Sequence, residues 1–157
     1  MNNSNGPRAD VQFSVFLQNK PGTLARVLQR LAEEKINIVA MTMMDTTEHG
    51  VLRFVPENPV ATRDVLKSLD AHMTETQVLT AGMPNQPGAL AHMCERLAAD
   101  RINIQYAYCT TAGGGSKTLG IFKVSDMQRA IQALAVSKPR RKSEVSSVRT
   151  NGRGRRK

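Results

Sequence analysis

The sequence predicts an α+β fold: two ferredoxin-like βαββαβ units in tandem, with antiparallel sheets, helices on one face, and fourth strands shared or missing. Three observations predict it. "NKPGTLARVLQRLAEEKINI" (19–38) returns as "NQPGALAHMCERLAADRINI" (85–104), with 11 of 20 positions identical. Chance would give about one or two matches, so the chain contains an internal repeat. The segments flanking each copy repeat the same alternation of strand and helix patterns. Only 14 residues separate Asp70 from Asn85, which leaves room for one strand that ends the first copy and begins the second. Six or seven strands are therefore expected rather than eight, with the halves sharing or fusing their sheets.

Taken in order, "VQFSVFL" alternates Val11, Phe13, Val15 and Leu17, the period of a half-buried strand. Leu24, Val27, Leu28 and Leu31 then follow the i, i+3, i+4, i+7 spacing of a one-faced helix. Strands are expected over 38–42 and 51–55, joined by "TTEHG". A helix should start near Asn58-Pro59, since Pro suits the first helical position, with Val65, Leu66 and Leu69 facing inward. In the second copy Leu90, Met93, Cys94 and Leu97 make the helical face, and strands follow over 104–110 and 118–124 around the looser turn "AGGGS". Ser125 followed by Gln128 reads as a capping box for the last helix, with Met127, Ala130, Ile131 and Leu134 on its apolar face. The expected division is a flexible N-terminus 1–10, units over 11–75 and 76–137, and a basic disordered tail 138–157.

Composition bounds the function. Hydrophobic residues make up 40% of the chain, aromatics only 4%, and Trp is absent, so the core must be aliphatic and Met-filled. The net charge of +9 is concentrated at one end. Residues 138–157 hold nine of the 22 Lys and Arg and one of the 13 acids, leaving 13 basic and 12 acidic residues in 1–137. The body is nearly neutral and the basicity is a tail with almost no apolar content. No apolar run approaches the roughly 18 residues of a membrane helix, and "MNNSNGPRAD" has no signal-peptide character. A cytoplasmic protein with no membrane association is expected. Two cysteines fit reduced thiols, with Cys94 on a helix face and Cys109 near a strand end.

Enzyme signals fail. His49, His72 and His92 fall in different elements with no partner spacing. No nucleophile-and-base pattern or metal-ligand spacing is present, and neither catalysis nor a cofactor is expected. "GGGSKT" (113–118) lacks the Gly-Lys-Ser/Thr order of a phosphate loop and leads into a strand. His92 reads as a solvated residue on the polar side of its helix.

The repeated turn carries the functional reading. Pro fixes φ and Gly permits a sharp entry into the helix. The first amides, from Gly22, Thr23 and Leu24, would point outward, and such a terminus attracts a carboxylate or phosphate. N-x-P-G-x-L-A, a one-faced helix and then I-N-I resembles the ACT domain, carried here twice, and residues 11–136 look like a tandem ACT protein with no catalytic domain attached. The resemblance implies a regulatory module that binds a small ligand, most often an amino acid, between two domains. Serine-sensing ACT domains carry a His two residues before the Asn; Leu17 and Met83 stand there in this chain, which argues against serine.

In a split βαβ unit the Pro-Gly turn and the Asn-Ile pair lie at opposite ends, so antiparallel placement of the two copies would let each turn meet the other copy's Asn. Two composite sites are expected on that basis. One has Asn19, Pro21, Gly22, Thr23 and Leu24 with Asn103 and Ile104. The other has Asn85, Pro87, Gly88, Ala89 and Leu90 with Asn37 and Ile38. Asn37 and Asn103 could equally close the helix-to-strand turn in a left-handed conformation. Met41, Met43 and Met44 are expected in the core or an interface. A homodimer acting on a protein target is expected.

The competing reading is a nucleic-acid binder. Ferredoxin-like βαββαβ also describes an RNA-recognition module, for which Phe54 and Phe122 would be the stacking aromatics. The tail could make non-specific contact with nucleic acid or an acidic partner, or aid solubility.

Overall fold

The computed structural model describes residues 6–45, 49–111 and 115–135. The expected tail 138–157, most of the N-terminal segment 1–10 and the centres of both hairpin turns lie outside these residues. Ten elements follow one another: β1 (Arg8–Gln18), α1 (Thr23–Glu33), β2 (Ile38–Asp45), β3 (His49–Pro56), α2 (Pro59–Ser68), β4 (Met73–Pro84), α3 (Ala89–Ala99), β5 (Ile104–Thr111), β6 (Lys117–Val124) and α4 (Met127–Ala135).

All six strands form one sheet in the order β2-β3-β1-β4-β6-β5. Read from the left, β2-β3-β1-β4 is a ferredoxin-like unit whose fourth strand is β4. Read from the right, β5-β6-β4-β1 is a second unit whose fourth strand is β1. The two long strands therefore serve both halves. The N-terminal part of β4 pairs with β1 (Met73 opposite Val15, Thr80 opposite Arg8), and its C-terminal part pairs with β6 (Leu79 opposite Phe122, Pro84 opposite Lys117). The expected boundary between residues 75 and 76 falls inside β4. All pairs are antiparallel.

Strand periodicity puts odd residues of β1 and β4 on one face, and all four helices pack there. Phe13, Val15, Leu17, Leu52 and Phe54 meet Val27 and Leu31 of α1 and Val65 and Leu66 of α2. Leu79, Ala81, Met83, Phe122 and Val124 meet Met93 and Leu97 of α3 and Ala130 and Ala133 of α4. Phe54 and Phe122 are fully buried in these cores, so neither is a platform for stacking bases. The two aromatics on which the RNA reading rested are therefore unavailable for stacking. Leu90, expected on the packed face of α3, is 44% exposed, and the smaller Ala89 packs in its place.

The opposite face is also covered in its middle, because the sheet curls until the edge strands β2 and β5 come within reach of each other. Ala40, Val55, Val78 and Ile121, from four different strands, form a third buried cluster there, with Tyr108 and Leu119 against it. Met41, Met43 and Met44 project from the β2 edge at 40–48% exposure. Of the two expectations for the Met cluster, burial in the core is ruled out. Cys94 packs partly against the second core, and Cys109 is exposed.

The second helix begins as its sequence predicts: Asn58 Oδ1 accepts from the Ala61 amide at 3.1 Å, and Pro59 stands at the first helical position. The last helix does not. Asp126 caps it, its Oδ1 accepting from the Arg129 amide at 3.0 Å. Ser125, expected as the cap, instead accepts at Oγ from the Asn103 amide. Asp at the cap position competes well with Ser, since both offer a short side-chain oxygen.

Candidate functional site

The site residues expected from sequence fall into four small structures, two Pro-Gly turns and two Ile-Asn-Ile segments. The turns are near-identical. Gly22 has φ 87° and Gly88 φ 86°, left-handed values that favour Gly, and neither helix receives a side-chain cap. One expectation changes here. The Thr23 amide donates to the Lys20 carbonyl (3.3 Å) and the Ala89 amide to the Gln86 carbonyl (3.2 Å). The turn thus consumes one of the three amides that were expected to face a ligand. Asn19, Pro21, Gly22, Asn85, Pro87 and Gly88 are exposed, and Thr23, Leu24 and Ala89 are half-buried.

The Ile-Asn-Ile segments tie each helix to its own sheet. Ile36 and Ile102 are buried, while Ile38 and Ile104 are half-buried against the two cores. Asn37 Nδ2 donates to Glu57 Oε1 at 3.1 Å, and the Glu57 amide donates to the Asn37 carbonyl at 3.0 Å. The Asn103 carbonyl accepts from the Ser125 amide at 3.0 Å. Both Asn residues therefore clamp the start of an edge strand to the end of its neighbour. The left-handed residues of these turns are Lys35 (φ 56°) and Arg101 (φ 57°), two positions before each Asn.

The composite pairing of each turn with the other copy's Asn is not assembled within one chain. Asn19 lies beyond the last pair of β1, Gln18 opposite His49. Asn103 precedes Ile104, opposite Val124, and β4 and β6 stand between that edge and β1. The physical reason is that the halves join through a continuous β1–β4 ladder, which offsets the two turns to opposite ends of one long sheet. Asn85 is held by its own half: its amide donates to the Ser116 carbonyl (2.9 Å) and its Nδ2 to the Gly115 carbonyl (3.0 Å).

The Gly88 turn borders a large cleft. About 1260 Å³ opens between the end of β4 and the exposed side of α3, lined by Met83, Pro84, Pro87, Gly88, Ala89, His92 and Arg96, and also by Pro7 and Leu134. Arg96 Nη2 donates to the Ala133 carbonyl at 2.6 Å, which fixes its guanidinium between α3 and α4. His92 is well exposed, with Glu95 3.9 Å away. Sequence reasoning missed Arg96 and Pro7 as lining residues. Arg96 repeats Arg30 and reads as a surface helical residue, and Pro7 reaches the cleft only through the β1–β4 pairing.

A family model described as an ACT domain pair matches residues 9–142. Among solved structures, the chain is similar to protein BT0572 from Bacteroides thetaiotaomicron, with 31% identity and a TM-score of 0.75 over 83% of this chain and 89% of that one. It also resembles the ligand-free regulatory subunit of aspartate kinase from Thermus thermophilus (16% identity, TM-score 0.62, 82% of this chain and 94% of that one). The corresponding subunit from Thermus flavus gives 17% identity and a TM-score of 0.58 over the same shares. At these last two identities the likeness is one of fold. The chain has no match among curated proteins. Among the described residues no helix is long and apolar enough to cross a membrane. Two near-identical Pro-Gly turns, a doubled βαββ pattern closed by exchanged strands and a match spanning both halves lead to one assignment: the chain belongs to the ACT domain pair family.

Proposed function

We propose that this protein is a non-catalytic regulatory module that binds an amino acid and signals to a protein target in the cytoplasm. The observation that carries the reading is the cleft beside Gly88. Its wall combines a helix start that has no side-chain cap, which favours a carboxylate, with the Arg96 guanidinium and apolar surface from Met83, Pro84 and Pro87. This is the mixture a small amphiphilic ligand needs. The cleft is wider than a closed pocket for one amino acid, so the reading includes a homodimer in which a second chain supplies the missing wall. That arrangement would also let Asn37 or Asn103 of one chain approach a Pro-Gly turn of the other. Ligand binding becomes regulatory if one arrangement of the two chains binds it better than another.

A thermal-shift screen of the full chain against the twenty amino acids and common metabolites tests the reading. A ligand at 100 times its dissociation constant should stabilise by about 2.7 kcal/mol. Arg96→Gln should abolish the shift if the cleft is the site, and Asn19→Ala should leave it intact. No stabilising ligand in the screen, or a shift indifferent to Arg96, would sink this assignment.

A further inference from the structure

The halves match on the helix-covered face but differ on the other. Strands β2 and β4 correspond to β5 and β1 at an offset of 66 residues, and β3 corresponds to β6 at 68. By those offsets Ala40, Val55, Val78 and Ile121 map onto Tyr106, Lys123, Gln12 and Arg53. The first set is the buried apolar cluster. The second set is polar. Gln12 is fully buried, its Nε2 donating to Tyr106 Oη (2.8 Å) and Ser14 Oγ (3.3 Å). Tyr108 Oη donates to Gln12 Oε1 at 3.0 Å, and burial pushes the Tyr108 phenol above its ordinary pKa. The Arg53 guanidinium lies 4.2 Å above the Tyr106 ring. These contacts join β5 to β1 and β3, and none of those pairs is hydrogen-bonded in the sheet. On this flank the curl is held closed by side chains.

We propose that Gln12, Tyr106, Tyr108 and Arg53 form a latch between the two ACT units, and that the apolar cluster at Ala40, Val55, Val78 and Ile121 is the hinge about which the sheet uncurls. The asymmetry follows from what each flank gains from water. Opening the polar flank trades protein hydrogen bonds for solvent ones. It also gives a partner to Arg53 Nε, which is buried with none among the described residues. Opening the apolar flank would expose aliphatic surface with nothing in return. One flank is therefore built to open and the other to stay shut, so a duplicated fold acquires a direction of motion.

Tyr106 and Tyr108 are the only tyrosines, and the chain has no Trp, so tyrosine emission reports on the two latch phenols, of which Tyr108 also packs against the apolar cluster. Acrylamide quenching of that emission should rise at least twofold in Gln12→Ala, with the far-UV signal of the folded protein retained. Tyr106→Phe keeps the ring under Arg53 and removes only the hydroxyl, leaving Tyr108 as the single reporter. It should show the same rise and decides the matter if Gln12→Ala does not fold. Val55→Ala on the hinge side should lower the melting temperature and raise quenching by less than either latch variant. Unchanged quenching in folded Tyr106→Phe would overturn the proposal. So would an equal rise in Val55→Ala, which would mean that both flanks yield alike and that the polar cluster is ordinary packing.

Discussion

Val11 lies directly opposite Gln77 in the β1–β4 ladder, and the two are counterparts under the 66-residue repeat. The pair therefore marks a local two-fold axis. Arg8 faces Thr80 on one side of it, and their counterparts Thr74 and Ser14 face each other on the other. This one register fuses two copies of a unit into a single six-stranded sheet.

The turn glycines are held by conformation rather than by space. A Cβ on Gly88 would meet nothing within 4 Å, but φ there is +86°. Gly88→Ala should cost about 1–2 kcal/mol, and Gly88→Asn less, since Asn tolerates the left-handed region. Gly120 is the reverse case: a Cβ would come within 2.6 Å of the buried Phe122 ring. Gly120→Ala should cost about 1–3 kcal/mol through overpacking, and Gly120→Asn should cost more still. Denaturant melts of the four variants check the contrast, which would fail if Asn were the milder change at both positions.

The last helix offers a test of which oxygen caps it. Asp126→Ala should lose about 1 kcal/mol of stability through the Arg129 amide. Ser125→Ala leaves that cap intact and acts on the Asn103 amide at the start of β5. Hydrogen exchange resolves the two: amides of the first turn of α4 should speed up in the Asp126 variant and not in the Ser125 variant.

The first half's core should depend strongly on its aromatic pair. Phe13 and Phe54 are fully buried with ring centroids 5.9 Å apart. Phe54→Ala should cost about 3–5 kcal/mol, whereas Met41→Ala on the exposed edge should stay within about 0.5 kcal/mol. A thermal melt of each is sufficient. A Met41 effect comparable to that of Phe54 would point to an interface covering β2.

The ion pair across the first unit makes stability pH-dependent in a known direction. Arg63 Nε and Nη2 donate to Glu75 Oε1 (2.6 Å) and Oε2 (2.7 Å), tying α2 to β4. Those hydrogen bonds hold the Glu75 carboxyl below the usual carboxylate range. The stabilisation is fully present above the unfolded-state pKa and is lost as pH falls through the lower folded-state value. Wild type should therefore melt above Glu75→Gln at neutral pH, with the gap closing under acid. The pair is about one-third exposed, so high salt should narrow the gap as well.

The sequence by itself determined the local structure and the family. Repeat spacing, Pro-Gly turns and the alternation around Phe13 and Leu79 are local signals, because strand and helix periods are written in neighbouring residues. They placed all four helices, the two core faces and the shortage of strands between Asp70 and Asn85. The tertiary structure alone decided what depends on register between distant strands. Pairing β1 with β4 about Val11 and Gln77 sends Asn19 and Asn103 to separate places, while the pairing inside each half sets Asn37 on Glu57 and Asn103 on Ser125. The curl of the sheet then buries Gln12 beneath Tyr106 and Tyr108, 94 and 96 residues away. No single-strand pattern carries that information: a strand's own residues say which face is apolar, but not which neighbour it joins or how far the joined sheet will twist before its edges meet.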